Sequence, residues 1–158
     1  MPLIRPARPE DAAPIAAIWN PVIRETTITF TTDEKSEAGL AAAINPEAWR
    51  VVEEDRKVAG FGCVFQFRNG PGYRHAGEFT LILAPAQRGR GTGAALMAAL
   101  EGAARDCGHH ALVAGVSAEN GAGLRFFGRQ GYREVGRLPE VGRKFDRWLD
   151  LVLLQKLL

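Results

Sequence analysis

Apolar residues at Ile15, Ile18, Trp19, Val22 and Ile23 recur three and four positions apart, which predicts an amphipathic helix over about Glu10 to Arg24, after a short strand at Leu3 to Pro6. Pro14 suits the first turn of that helix, while Pro21 predicts a kink or an end. The threonine-rich segment 25–33 reads as extended chain or loop, and Ser36 is placed to cap a short helix over residues 36–44. Three segments with strand character follow, Trp49 to Glu54, Val58 to Phe67 and His75 to Leu83, separated by the turn sequences DRK and NGPG. They predict an antiparallel meander. Past Pro85 the pattern changes: a glycine-rich basic stretch, QRGRGTG, leads into a helical run closed by Gly108. A buried strand over Ala111 to Val116, a helix over Asn120 to Gln130 ending at Gly131, and strands over Tyr132 to Leu138 and Arg147 to Gln155 complete the chain. With no repeat and no second apolar block, residues 1–158 read as one α/β domain with a mixed sheet.

Composition narrows the functional classes. A chain of 158 residues builds an apolar core without disulfides or a structural metal. Its two cysteines, Cys63 and Cys107, are far apart, and no His/Cys cluster has ligand spacing; adjacent His109 and His110 point different ways, so no metal is expected. The first residues hold no apolar stretch of signal-peptide length, and the apolar runs near the C-terminus are interrupted by Asp150 and Lys156. The expectation is a cytoplasmic protein that binds neither membrane nor nucleic acid, since the net charge is only +2. The charge is uneven, however: between Arg88 and Arg147 there are 10 basic residues against 6 acidic ones, which suggests one anionic ligand.

The glycine-rich stretch shows where such a ligand would sit. A strand ending near Leu83 that runs through Arg88, Gly89, Arg90, Gly91, Thr92 and Gly93 into a helix gathers backbone N–H groups and a helix N-terminus around one point. Side chains there would hold phosphate oxygens away from the amides, and two guanidinium groups stand beside it. It is no P-loop, because Ala94 and Ala95 stand where Lys and Ser/Thr are needed, and it is a poor dinucleotide fingerprint. The blander alternative is a helix-entry turn without a ligand.

Arg88-x-x-Gly91-x-Gly93 after Leu83-Ala84-Pro85, then Asn120 on the next strand-to-helix turn and Gly131-Tyr132 beyond it, resembles the GCN5-related N-acetyltransferase (GNAT) family. Asn20-Pro21, residues 25–30, Phe67-Arg68, Tyr73, Glu78 and the segment 141–150 narrow the resemblance to the phosphinothricin and methionine sulfoximine acetyltransferase-like subfamily, over nearly the whole chain. The resemblance implies a twisted mixed sheet splayed between its two central parallel strands, with acetyl-CoA in the gap and an amine acceptor entering from the opposite side. It puts the CoA pyrophosphate on Arg88 to Gly93, the pantetheine along Ile82 and Leu83, and a pantetheine contact at Asn120, for which a plain helix cap is the alternative. It also implies a homodimer. The apolar segment 149–158, read as a strand needing cover for its faces and edge, agrees.

Acetyl transfer needs the free amine, whereas an aliphatic amine with pKa near ~10 is protonated at neutral pH. Glu78 shares one face of an apolar strand with Thr80 and Ile82, where a carboxylate is expensive unless paired, hydrated or functional. The resemblance assigns it as the general base, acting through water; a surface strand-start residue is the alternative. Three departures stand out. Phe127 occupies the place of the family's Tyr or His acid, Gly70 stands where a further arginine is usual, and His75 replaces a tryptophan. Arg68 and Arg74 are candidates for an acidic group on the acceptor, with solvated arginines the alternative, and Tyr73 and Phe30 are candidate pocket walls. Arg143 and Lys144 are expected to be solvated in a loop, with a place bordering a partner subunit's active site the alternative, and Trp19, Trp49 and Trp148 to be core or interface residues. The leading reading is an acetyl-CoA-dependent N-acetyltransferase of a small amino-acid-like amine. The alternatives are a peptide or protein acceptor, or a catalytically weak CoA-binding regulatory module.

Overall fold

In the computed structural model, which describes residues 2–158, the strands are β1 (Leu3–Pro6), β2 (Trp49–Glu54), β3 (Lys57–Gln66), β4 (Ala76–Leu83), β5 (Ala111–Ser117), β6 (Arg133–Lys144) and β7 (Arg147–Leu157). The helices are α1 (Ala12–Glu25), α2 (Glu37–Ala43), α3 (Thr92–Asp106) and α4 (Gly121–Arg129). The described residues form one sheet in the order β1-β2-β3-β4-β5-β7-β6, antiparallel except for the β4–β5 pair. This is the mixed α/β architecture expected from the sequence. No helix among the described residues is long and apolar enough to cross a membrane.

Strand alternation sends side chains to two apolar layers. On one face, Val52, Val64, Phe79, Ala114 and Val152 pack against Leu96, Met97 and Leu100 of α3, with Phe126 and Phe127 of α4 alongside. On the other, Val51, Phe61 and Ile82 pack against Ile15 and Val22 of α1 and Leu40 of α2. The α1–α2 layer spans only the β1–β4 half of the sheet, because Glu78, Thr80 and Ile82 share that face and the two helices stop short of β5 and β7.

Several local expectations are corrected. Pro21 neither ends nor breaks α1, which continues to Glu25 because Val22 and Ile23 beyond the proline are buried against the sheet. The turn closes at Thr26, whose N–H and hydroxyl both donate to the Val22 carbonyl, at 3.2 and 2.6 Å. Strand β6 extends past Leu138 to Lys144, with register shifts between Glu134 and Gly136 and between Leu138 and Gly142. The supposed loop at 141–144 is therefore strand, and Lys144 is buried instead of solvated. Strand β7 lies between β5 and β6, so both its edges are paired, and the free edge at this end of the sheet belongs to β6. Trp19 packs tilted against Phe61 at 4.9 Å and Trp49 stacks on it at 6.3 Å, and Trp148 lies outside the core.

One ion pair ties the first strand to the start of α1. The Arg5 guanidinium donates two bonds of 2.9 Å to Asp11 and one of 2.7 Å to Glu53, and the Arg8 N–H donates to Asp11 at 2.8 Å. Burial alone would raise the Asp11 carboxyl, but these donors hold it below its ordinary value. Arg5→Met removes the partner of a buried charge and is expected to cost about 3 kcal/mol in urea unfolding at neutral pH. Because the folded carboxyl is the stronger acid, its contribution is present above the unfolded-state value and lost as pH falls through the folded one. The difference between wild type and Arg5→Met should therefore shrink in acid; an undiminished difference there would refute the assignment.

Candidate active site

The two parallel strands pair at only three positions, Ala76 with Ala111, Gly77 with Leu112 and Glu78 with Val113, and then diverge. Each remains paired along its other edge, β4 to β3 up to Leu83 and β5 to β7 up to Ser117. The edge of β4 beyond Glu78 that faces β5 is thus left without a strand partner, and buried backbone groups in that position call for a ligand or water. A cavity of ≈ 230 Å³ occupies the fork, walled by Glu78, Thr80 and Ile82 from one strand, by Gly115 and Ser117 from the other, and by Asn120 and Phe127 at its α4 side.

The chain leaving β4 turns through a short 3-10 segment at Pro85–Gln87 into the glycine-rich loop. Gly89 (φ +73) and Gly91 (φ +79) hold left-handed backbone, and a Cβ at either would meet nothing within 4 Å. Gly91 caps α3 without a side chain, which leaves the first N–H groups of that helix unpaired beside open space. Amides and helix dipole there suit a phosphate group, so the residues present fit a pyrophosphate. A Cβ at Gly93 would fall 3.1 Å from the Phe126 ring, so this glycine also lets α3 approach α4.

Four polar side chains fix the loop. Buried Gln87 accepts from the Thr92 hydroxyl at 3.0 Å and donates to Glu54, which also takes the Arg90 guanidinium at 2.9 Å. Arg90 and Gln87 together hold the Glu54 carboxyl below its ordinary value. Arg90 is therefore occupied with Glu54, whereas Arg88 is exposed with no side-chain partner among the described residues.

Glu78 sits at the crotch of the fork. Its side chain is half-buried, Oε2 lies 3.6 Å from the position of a Cβ on Gly115, and no described residue donates a hydrogen bond to its carboxylate. Burial raises its pKa above the ordinary value. Asn120 caps α4 by accepting from the Gly123 N–H at 2.9 Å and also faces the cavity. Phe127 packs edge-on against Phe79 at 5.4 Å and Tyr132 at 6.0 Å. The Tyr132 hydroxyl is buried without a hydrogen-bond partner among the described residues, outside the cavity lining, and its ionisation is pushed far up by burial.

The segment between α1 and α2 forms the outer wall of the cavity through Ile28, Thr29 and Phe30. It is tied to the far side of the sheet. Lys144 donates from Nζ to the Thr29 carbonyl at 2.8 Å, Thr27 donates to Glu119 at 2.9 Å, and Glu119 is bound by Arg147. Phe30 lies so close to Gly142 that a Cβ there would approach its ring within 2.5 Å. Gln87, Glu54 and Glu119 were not singled out from the sequence for the site. No local motif marks them, since each acts through a partner at least five residues away in the chain. Arg68, Tyr73 and Arg74 lie together on the exposed β3–β4 turn, Arg68 over the Tyr73 ring at 5.6 Å, and none of them lines the cavity.

A parallel strand pair that diverges beside a helix whose first amides are free is a site for an extended ligand with an anionic end. The Acetyltransferase (GNAT) family model matches residues 17–132. The chain is 34% identical over 157 residues to the L-amino acid N-acyltransferase MnaT of Escherichia coli, covering 96% of this chain and 91% of that protein. It is 34% identical over 161 residues to the phosphinothricin N-acetyltransferase of Streptomyces coelicolor, covering 97% and 94%. Among solved structures, yncA of Salmonella typhimurium, determined with its cofactor acetyl-CoA, superposes with a TM-score of 0.94 at 30% identity, covering 99% of this chain and 94% of that one. The chain belongs to the GNAT acetyltransferase family.

The raised pKa of Glu78 carries a stability consequence. The folded state holds this proton more tightly than the unfolded chain, so ionisation destabilises the fold as pH rises through the window above the ordinary carboxylate value. Glu78→Gln is expected to raise the melting temperature at neutral pH and to lose that advantage in acid, where the wild-type carboxyl is protonated in both states. A melting temperature lowered at neutral pH would contradict this.

Proposed function

We propose that the protein is an acetyl-CoA-dependent N-acetyltransferase that acetylates the primary amine of a small amino-acid-like acceptor by direct attack in a ternary complex. The observation that carries the reading is Glu78, a half-buried carboxylate without a partner among the described residues, placed where the parallel strands part. The relatives named for amino-acid and phosphinothricin acylation support the acceptor class.

Bound acetyl-CoA supplies an acetyl group activated as a thioester, whose C–S bond breaks as the amine nitrogen forms the new C–N bond. The chain's own contribution is position and protons. The amides of Gly91 to Gly93 and the exposed Arg88 hold the pyrophosphate, and the unpaired edge of β4 at Ile82 and Leu83 offers backbone bonds to the pantetheine. Glu78 takes the proton from the acceptor ammonium, directly or through one water. Its raised pKa improves that match, because a stronger base lies closer to the amine it must deprotonate. With Phe127 in the aromatic cluster and Tyr132 turned away, water supplies the proton to the leaving thiolate. A thiol of pKa near ~8.5 tolerates this.

Two further parts of the reading are a homodimer and a cytoplasmic setting. The hairpin of β6 and β7 exposes Val135, Leu138, Val141, Phe145 and Trp148, and this amount of uncovered apolar surface supports self-association. Both cysteines are free, in keeping with a reducing compartment.

Glu78→Gln should retain CoA affinity and lose about 10²-fold or more in kcat/KM for an amine at neutral pH, recovering part of the loss as pH approaches the amine's own pKa. Equal rates for wild type and variant at neutral pH would remove Glu78 from the chemistry. Gly91→Val places a branched side chain in the open space beside the α3 amides; the left-handed backbone costs the fold about 1–2 kcal/mol. Its CoA affinity, read by calorimetry on folded protein, should fall by more than tenfold, and unchanged affinity would sink the cradle. Gly93→Val is a poorer test, because the Phe126 contact confounds binding with packing.

A further inference from the structure

The turn between β5 and α4 serves two neighbours at once. Ser117 and Asn120 line the cavity in the fork, while Glu119, between them in the chain, does not. Its carboxylate reaches the wall segment instead, where the Thr27 hydroxyl donates to Oε1 at 2.9 Å. Among the described residues this is the one hydrogen bond between the segment 27–30 and the turn 117–120. The other ties of that segment come from β6, through Lys144 on the Thr29 carbonyl and Gly142 against the Phe30 ring.

Internal bonds make the turn move as a unit. Ser117 is buried and accepts from two of its amides, that of Glu119 at the hydroxyl, 3.3 Å, and that of Asn120 at the carbonyl, 2.9 Å. Ala118 donates to the Asp150 carbonyl of β7 at 3.0 Å, and the Asn120 side chain caps α4. A displacement of Ser117 or Asn120 therefore carries Glu119 with it. Arg147, at the start of β7, grips the Glu119 carboxylate with both terminal nitrogens, one at 2.8 Å, and so aims it at Thr27. The Arg147 guanidinium, and after it the Thr27 hydroxyl, hold the Glu119 carboxyl below its ordinary value, so it remains an ionised acceptor at neutral pH.

Stability does not account for this arrangement. Both side chains of the ion pair are exposed, Glu119 by 40% and Arg147 by 49%, and exposed pairs contribute little to folding. Thr27 belongs to a segment without regular structure, on which neither the sheet nor the helices depend. What the bond does fix is the separation of the cavity wall from the turn that carries Asn120.

We infer that Glu119 is a positioning residue for the transfer: through Thr27 it links the turn offered to the pantetheine arm of CoA with the wall Ile28–Phe30, so that a cofactor in the fork steadies the wall beside the reacting groups. The inference rests on the N-acetyltransferase reading and adds to it a coupling between cofactor and wall. Such coupling requires CoA to restrain the turn more than the empty protein does.

Hydrogen exchange at the amides of residues 28–30, in free protein and in protein saturated with CoA, tests this, with saturation established for each variant by calorimetry. In wild type CoA should slow exchange there by about five- to tenfold, the lower end of ordinary coupling between sites. Thr27→Val, of nearly the same shape but without the donor, and Glu119→Ala, without the acceptor, should each bind CoA and lose most of the slowing. Thr27→Ser keeps the hydroxyl and should retain it. Lys144 and Gly142 still hold the segment in all three variants. Slowing that survives in Thr27→Val or Glu119→Ala would show that CoA protects the wall by touching it and would overturn the coupling. So would its loss in Thr27→Ser, or a wild-type wall that does not respond to bound CoA. Each of these results leaves the N-acetyltransferase reading standing, whereas a wild type that does not bind CoA would overturn both.

Discussion

The pairing of β4 with β5 stops at Val113, and the rest of the molecule is organised around that interruption. Parallel strands that could continue to pair are instead held apart, each by a full antiparallel partner on its far side, with a cavity that Phe79, Phe127 and Leu151 help to line in the fork. Leaving buried backbone groups unpaired costs on the order of 1–3 kcal/mol each. A fold that keeps such an edge open has one natural use for it: to accept a ligand that hydrogen-bonds as a strand would. The glycine-led turn into α3 lies at the end of the same strand, so an extended molecule bound along β4 arrives with its anionic end at a helix N-terminus.

Polar networks then hold the parts of the site that secondary structure leaves loose. The chain of Thr92, Gln87, Glu54 and Arg90 fixes the glycine-rich loop against β2, two strands away. Lys144, Arg147 and Glu119 fix the segment between α1 and α2 against the β6–β7 hairpin. Glu78, in contrast, is left without protein donors among the described residues, and its raised pKa is the electrostatic mark of that isolation. The glycine-rich loop is thus tied down by polar bonds, while the carboxylate proposed as the base is left unsatisfied.

On the α1–α2 face, the helices cover only the first four strands. What closes this face over β5 and β7 is a segment without regular structure, Ile28 to Phe30, pinned at its edges. A wall of that kind changes shape with its sequence at little cost to the sheet beneath, a sufficient physical reason for one fold to serve acceptors of different side chains.

Periodicity, turn chemistry and caps were enough to place the seven strands and four helices in order, because these signals act within a few residues: the heptad-like face of α1, the Ser36 cap that accepts from Gly39 at 3.0 Å, and the left-handed glycines at 89, 91, 108 and 131. The glycine-rich run Arg88 to Gly93 before a helix and the Glu78 carboxylate on an apolar strand face were legible for the same reason. Local rules failed where packing competed with them. Pro21 was overridden by burial of Val22 and Ile23, and β6 continued past Leu138 because β7 offered it partners up to Lys144. The solvated lysine of a supposed loop became a buried donor to a residue 115 positions away. Pairing order, the early parting of β4 from β5, and the bonds of Gln87, Lys144 and Glu119 join residues remote in the chain, and their energy exists only once the sheet has assembled.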